Sequence, residues 1–222
     1  MSELRYEQRP AEGEPQGLLV LHHGRGTDER DLLTLAGVLD PRRRLLVVTP
    51  RAPLTLAGSP GYHWYVVSRV GYPDPQSFHA ARRMLAELHD ELWASTGIAP
   101  ARTILGGFSM GAAMSYALGL DAARPAPAGI LAFSGFIPTV EGWSADLGSR
   151  EAVRVFIAHG ARDPVIDVDF ARAAERRLRE AGLRVEYHES QGTHHIDPRQ
   201  IPLAGAWIEP TLRTGAPPAA SA

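Results

Sequence analysis

Residues able to do chemistry gather at a few places along the chain, and the most telling is Gly107-Phe108-Ser109-Met110-Gly111. The run Arg102 to Leu105 before it is short and apolar, while Met110 to Leu118 after it is small and apolar at helical spacing. The serine therefore falls where a strand turns sharply into a helix. Holding a serine oxygen clear of its own backbone takes a tight, strained turn, and side chains two residues away on either side would strike the neighbouring elements. Glycine at 107 and 111 removes them. The helix that follows offers free N–H groups and a positive dipole end to a forming anion. Ser109 is the candidate nucleophile; the plainer alternative is a glycine-rich turn capped by a serine.

A serine hydroxyl is a weak nucleophile until a base takes its proton, and the base works best when a carboxylate fixes its tautomer. On a strand-turn-helix scaffold the partners follow in the order acid, then histidine. His159-Gly160-Ala161-Arg162-Asp163-Pro164 follows one apolar run and Gly192-Thr193-His194-His195-Ile196 the next, so both segments leave strands at the edge where Ser109 sits. Asp163 is preferred as the acid because it directly follows its strand, whereas Asp167 and Asp169 fit the cap of the next helix. Between His194 and His195 the residues alone do not choose. The backbone N–H groups of Met110 and of Arg25, within Gly24-Arg25-Gly26, are the expected oxyanion donors. The Arg25 side chain adds a further expectation, attraction of substrates that carry a carboxylate or phosphate, against the simpler reading of an arginine in solvent. His22-His23 and His194-His195 lack the carboxylate-histidine helical spacing of a metal site, so neither metal nor cofactor is expected.

The elements that must position these groups alternate strand and helix. Leu18 to His23, Leu45 to Thr49, Gly129 to Ser134, Val153 to His159 and Leu183 to His188 read as strands. Helices are expected from a cap at Thr27 or Asp28 to Leu39, over Ser77 to Thr96 with Gly97 and Pro100 as stops, over Val168 to Ala181 and around Ile201 to Leu212. The fold class is α/β, with a mostly parallel central sheet covered by helices on both faces, in one domain spanning 1–213. Residues 50–76 and 136–150 read as irregular loops, the first rich in proline and aromatics. Thr214 to Ala222 reads as a disordered tail.

Composition removes several classes. The 222 residues carry a formal charge of -2, which gives no basic footprint for nucleic acid. All 23 basic residues are arginine, so Schiff-base and P-loop lysine chemistry are absent, and without cysteine there is no thiol nucleophile. Met1 to Gln16 is polar and no run is long enough to span a bilayer, so a cytoplasmic location away from membranes is expected. The arginine-rich stretch Arg172, Arg176, Arg177 and Arg179 is interleaved with Glu175 and Glu180, the pattern of a solvated helix face.

Taken together, Leu21-His22-His23-Gly24-Arg25-Gly26, Trp64-Tyr65, Gly107-Phe108-Ser109-Met110-Gly111, His159-Gly160 with Asp163-Pro164-Val165, and a last histidine followed by a tryptophan-bearing helix resemble the phospholipase/carboxylesterase family of α/β-hydrolases, which includes the acyl-protein thioesterases. The resemblance runs from about Leu18 to Ile208. It implies the α/β-hydrolase fold, a nucleophile at Ser109, an acid at Asp163, and a base at His194 with His195 beside it. Trp64 and Tyr65 become substrate-binding residues. The implied activity is a serine carboxylesterase acting on small to medium acyl esters through an acyl-enzyme. A thioesterase or lysophospholipase using the same triad, or a non-catalytic binding protein of the same fold, are the alternatives. Small-molecule esters are the expected partners, and a homodimer stays open. Departures from the family pattern are Met110 for a frequent glutamine, Arg25 for an apolar residue, Val66 for an aspartate and Thr193 for a glycine.

Overall fold

Period-two alternation inside the apolar runs decides how the chain layers. Leu18 and Val20 pack to one side with Phe78, Leu85, Leu88 and Met114, while Leu19 and Leu21 pack to the other with Leu35, Leu39, Trp207 and Ile208. The computed structural model describes residues 3–55, 58 and 60–215. In chain order the elements are β1 (Tyr6–Arg9), β2 (Gly17–His22), α1 (Leu33–Leu39), β3 (Leu45–Pro50), β4 (Leu54–Thr55), β5 (Tyr62–His63), β6 (Val67–Arg69), β7 (Tyr72–Pro73) and α2 (Pro75–Thr96). A 3-10 turn at Pro100–Arg102 leads into β8 (Thr103–Phe108), α3 (Met110–Gly119), β9 (Gly129–Phe133), β10 (Arg154–Gly160), α4 (Val168–Glu180), β11 (Arg184–Ser190) and α5 (Ile201–Gly215).

Seven strands form one sheet in the order β1-β3-β2-β8-β9-β10-β11, parallel throughout except for β1. Helices α2, α3 and α4 cover one face; α1 and α5 cover the other. This is the expected α/β-hydrolase architecture. Because β2, β8, β10 and β11 are parallel, the loops after His22, Phe108, Gly160 and Ser190 all open at one edge. No helix among the described residues is long and apolar enough to cross a membrane.

Five expectations are corrected. The first helix does not start at Thr27 or Asp28, because those groups are engaged elsewhere: Tyr62 N–H bonds to the Thr27 carbonyl at 2.8 Å and Arg30 N–H to Asp28 Oδ1 at 2.9 Å, leaving only Leu33–Leu39 helical. The loop at 50–76 holds two antiparallel ribbons, β4 with β5 and β6 with β7. Helix α2 starts at Pro75, two residues before Ser77, since Asp74 caps it by accepting from Ser77 N–H at 2.9 Å. The polar N-terminal stretch contains a strand, β1, whose alternating half-exposed pattern suits an edge. Thr214 and Gly215, expected in the tail, belong to α5; residues 216–222 lie outside the described residues.

The core also buries histidines. His22 and His89 lie with ring centroids 5.7 Å apart, His22 edge-on to Trp64, and each has a buried Nε2 without a hydrogen-bond partner. Burial is the main cause lowering His22, His23, His89 and His159, with His89 brought down to about 3. In the unfolded chain these groups take up protons below about pH 6.5, whereas in the folded chain they do not, so stability present above that pH is lost as pH falls. Urea unfolding between pH 7.5 and 5 is expected to show a falling free energy, and His89→Leu to reduce the slope by roughly 1 kcal/mol per pH unit. A pH-independent free energy would contradict this account.

Candidate active site

The turn between β8 and α3 holds Ser109 at φ 56° and ψ -119°, a backbone conformation that costs a non-glycine residue energy and that the surroundings must enforce. They do so by backbone packing. A Cβ on Gly111 would lie 2.0 Å from the His22 carbonyl oxygen, and one on Gly107 would lie 2.6 Å from the Gly111 carbonyl carbon. Ser109 N–H donates to the Phe133 carbonyl at 2.9 Å, tying the turn to β9. The residue is 8% exposed, so its hydroxyl faces a cleft and not bulk solvent.

His194 reaches Ser109 from the loop after β11, its Nε2 standing 2.9 Å from Ser109 Oγ and its Nδ1 2.7 Å from Asp163 Oδ2. A carboxylate can only accept, so Nδ1 carries the proton and Nε2 is free to accept from the serine. Asp163 leaves β10 in a short turn and its Oδ1 accepts from Val165 and Ile166 N–H at 2.8 and 2.9 Å. Burial pushes this carboxyl up, but the His194 bond and the two N–H groups outweigh it, and the net position is below the ordinary carboxylate range. Asp167, the competing aspartate, caps α4 instead. His195 is exposed and its Nδ1 faces Thr193 Oγ1 at 3.2 Å.

One member of this network has no role in the sequence reading. His159, at the end of β10, donates from Nε2 to the Ile166 carbonyl at 2.9 Å while that nitrogen lies 3.4 Å from Asp163 Oδ2. It is a buried neutral histidine that closes the Asp163 turn from below. The signal was the His159-Gly160 pair, which periodicity alone reads as strand.

Opposite His194, the loop after β2 is clamped. His23 Nε2 accepts Ala52 N–H at 3.0 Å, so His23 Nδ1 carries a proton and donates to the Gly24 carbonyl at 2.7 Å. Thr27 Oγ1 adds a second donor to that carbonyl at 3.2 Å. In a planar trans peptide the C=O and N–H point opposite ways, so fixing Gly24 O also fixes the direction of Arg25 N–H. Neither Arg25 N–H nor Met110 N–H, at the first position of α3, meets a protein acceptor among the described residues.

Between these groups lies a cavity of about 370 Å³ lined mainly by Tyr65, Val70, Phe108, Phe136, Val165 and Ile166, with Ser109, Met110 and His194 at one end and Arg25 and Arg69 also on its wall. A larger cavity of about 690 Å³ lies at the opposite end of the strands between α1 and α5, and none of the candidate groups reaches it. Of the two residues expected to bind substrate, Tyr65 lines this cavity, while Trp64 does not: it is fully buried beneath the loop, its Nε1–H donating to the His23 carbonyl at 2.9 Å. Phe108 packs against the His194 ring at 4.9 Å, a contact no spacing rule announces.

The sequence matches the family model described as phospholipase/carboxylesterase over residues 8–211. The chain belongs to the phospholipase/carboxylesterase family. Membership makes it an α/β-hydrolase and a serine hydrolase. Among curated relatives, acyl-protein thioesterase 1 homolog 1 of Dictyostelium discoideum is 25% identical over 206 residues, 87% of this chain and 90% of that protein. The crystal structure of esterase PE8 superposes with a TM-score of 0.77 at 31% identity, covering 94% and 99% of the two chains. The Bacillus cereus carboxylesterase shares the fold at a TM-score of 0.81 and 22% identity, covering 95% of each chain.

Within the phospholipase/carboxylesterase family pattern, the departures now have places. Met110 Sδ accepts Trp64 N–H at 3.2 Å, so the residue after Ser109 binds the 50–76 segment. Val66 and Thr193 are exposed and bear on no member of the Ser109–His194–Asp163 chain through their side chains. Removing the clamp should expose its function. His23→Ala is expected to lower kcat on nitrophenyl butyrate by roughly ten- to a hundredfold with KM within about a factor of two, because the donor is misaimed and the cavity is kept. A raised KM at unchanged kcat would show that His23 shapes the cavity instead.

Proposed function

We propose that this chain is a carboxylesterase that hydrolyses small to medium acyl esters with Ser109 as nucleophile, His194 as base and Asp163 as the residue orienting His194. The observation that carries the proposal is the unbroken chain of contacts, 2.9 Å from Ser109 Oγ to His194 Nε2 and 2.7 Å from His194 Nδ1 to Asp163 Oδ2. Ser109 Oγ attacks the ester carbonyl as its proton passes to Nε2. The Arg25 and Met110 N–H groups take the oxyanion, and the protonated His194 returns the proton to the leaving alkoxide. Water, deprotonated by His194, then attacks the acyl-serine and frees the acid and the hydroxyl. Asp163, held ionised, favours the imidazolium at each step. A cavity of about 370 Å³, near the lower end for small-molecule sites, supports short acyl groups.

The acyl-protein thioesterase relatives favour a second reading, the same groups acting on a thioester. Comparing kcat/KM on matched oxygen and sulfur butyryl esters separates the two. For the chemistry itself, turnover of nitrophenyl acetate and butyrate is expected to fall roughly 10⁴-fold or more in Ser109→Ala, and a fluorophosphonate to label Ser109 alone. A wild-type protein that neither turns over these esters nor takes the label would be a binding protein of this fold.

A further inference from the structure

The walls of the cavity beside Ser109 carry two positive charges, from Arg25 and Arg69, and no aspartate or glutamate. Several arginines elsewhere are matched by carboxylates, Arg51 with Glu29, Arg124 with Asp90 and Arg172 with Glu189 at 2.5 to 2.8 Å, and others, such as Arg102 and Arg162, donate to backbone carbonyls. Arg25 and Arg69 have no carboxylate partner among the described residues. Both stand on anchored backbone. The Arg25 loop is held by the His23 clamp and by Gly26 N–H to the Tyr62 carbonyl at 2.9 Å. Arg69 ends β6, whose ribbon is pinned by Thr139 N–H to the Gly71 carbonyl at 3.0 Å and by Val66 N–H to Ser77 Oγ at 3.0 Å. The Arg69 guanidinium lies 3.8 Å from the Tyr72 ring centroid. Stacking on a ring face holds the guanidinium plane and leaves its in-plane N–H fork available to a bidentate anion.

The same cavity that holds Ser109 and these cations is otherwise walled mainly by apolar side chains, among them Tyr65, Val67, Val70 and Phe136. We propose that Arg25 and Arg69 select esters that carry an anionic oxygen group, a carboxylate or phosphate, separated from the scissile carbonyl by a short apolar segment. The inference rests on the hydrolase reading above and names the substrate class for it. The anion supplies the carboxylate or phosphate partner that both guanidiniums lack; because Arg25 and Arg69 are exposed, the contact is screened by solvent and its contribution is modest and salt-dependent. A neutral ester of the same length fills the same space and leaves both cations to water.

The test compares matched esters. With the anion on the acyl side, nitrophenyl hemiadipate is set against nitrophenyl hexanoate; with it on the alcohol side, 3-carboxyphenyl butyrate against phenyl butyrate. Wild-type protein is expected to prefer the anionic member of at least one pair about tenfold in kcat/KM, the size of one charge-assisted contact. That preference should shrink in Arg69→Gln and Arg25→Gln, invert in Arg69→Glu, and fade with added salt. Arg25→Gln keeps the backbone N–H, and the ratio of paired substrates cancels any loss common to both. Neutral esters hydrolysed with no anion preference in either pair, or a preference that survives all three variants, overturns the inference and leaves the serine hydrolase standing. No turnover of any ester and no fluorophosphonate label overturns the hydrolase reading and this inference with it.

Discussion

The end of β2 and the start of α3 pass so closely that the His22 carbonyl oxygen occupies the space beside the Gly111 Cα, with no room for a Cβ. Everything at the site depends on this backbone crossing. It forces the strained turn that lifts Ser109 out of β8, and it brings the loop after β2 against the first turn of the same helix. His22 Nδ1–H donates to Ser115 Oγ at 2.8 Å, and that hydroxyl donates to the Gly111 carbonyl at 3.0 Å. The crossing is thus latched by side chains as well as by packing, and the N–H groups of Arg25 and Met110 are fixed relative to each other. In the proposed esterase mechanism this matters, because an oxyanion site gains most when its donors are in place before the charge appears.

Burial organises the electrostatics around that crossing. His22, His23, His89 and His159 are kept neutral by the core, and in His23 and His159 the fixed tautomer has a structural consequence. His23 holds the peptide ahead of Arg25, and His159 holds the Ile166 carbonyl beside Asp163. A charged imidazole in either place would repel neighbouring donors or compete with His194 for the carboxylate. Asp163, by contrast, stays ionised despite burial because three N–H donors converge on it. Neutral histidines around one ionised carboxylate leave His194 as its principal charge partner.

The cavity is walled by segments that the sheet does not supply. Ribbons β4–β5 and β6–β7 are too short to persist alone and are held by contacts from outside: Arg51 bridging Glu29 and Tyr62, Trp64 N–H on Met110 Sδ, and Asp74 with Ser77 at the head of α2. These ties run back to the β2 loop and to α3, so the walls and the Ser109 turn share one support. Trp64 belongs to that support and Tyr65 to the wall: the bend between β5 and β6 sends one side chain under the β2 loop and the other to the cavity.

By itself the sequence determined the layered α/β architecture, since apolar runs, glycine stops and helical spacing are local signals that burial on both sheet faces makes decisive. It also singled out Ser109, Asp163 and the 194–195 histidine pair, because chain order and strand ends place them at one edge whatever the details of packing. Tertiary structure decided what depends on groups distant in the chain. Thr27 and Asp28 lost their helix because Tyr62 and a local turn took their hydrogen-bonding groups, and β1 formed because β3 offered an open edge. His194 and not His195 faces Ser109, Trp64 supports while Tyr65 lines, and Arg69 joins Arg25 at the cavity. Side-chain direction and long-range pairing are set only when the loops close on one another, and spacing along the chain carries no record of that closure.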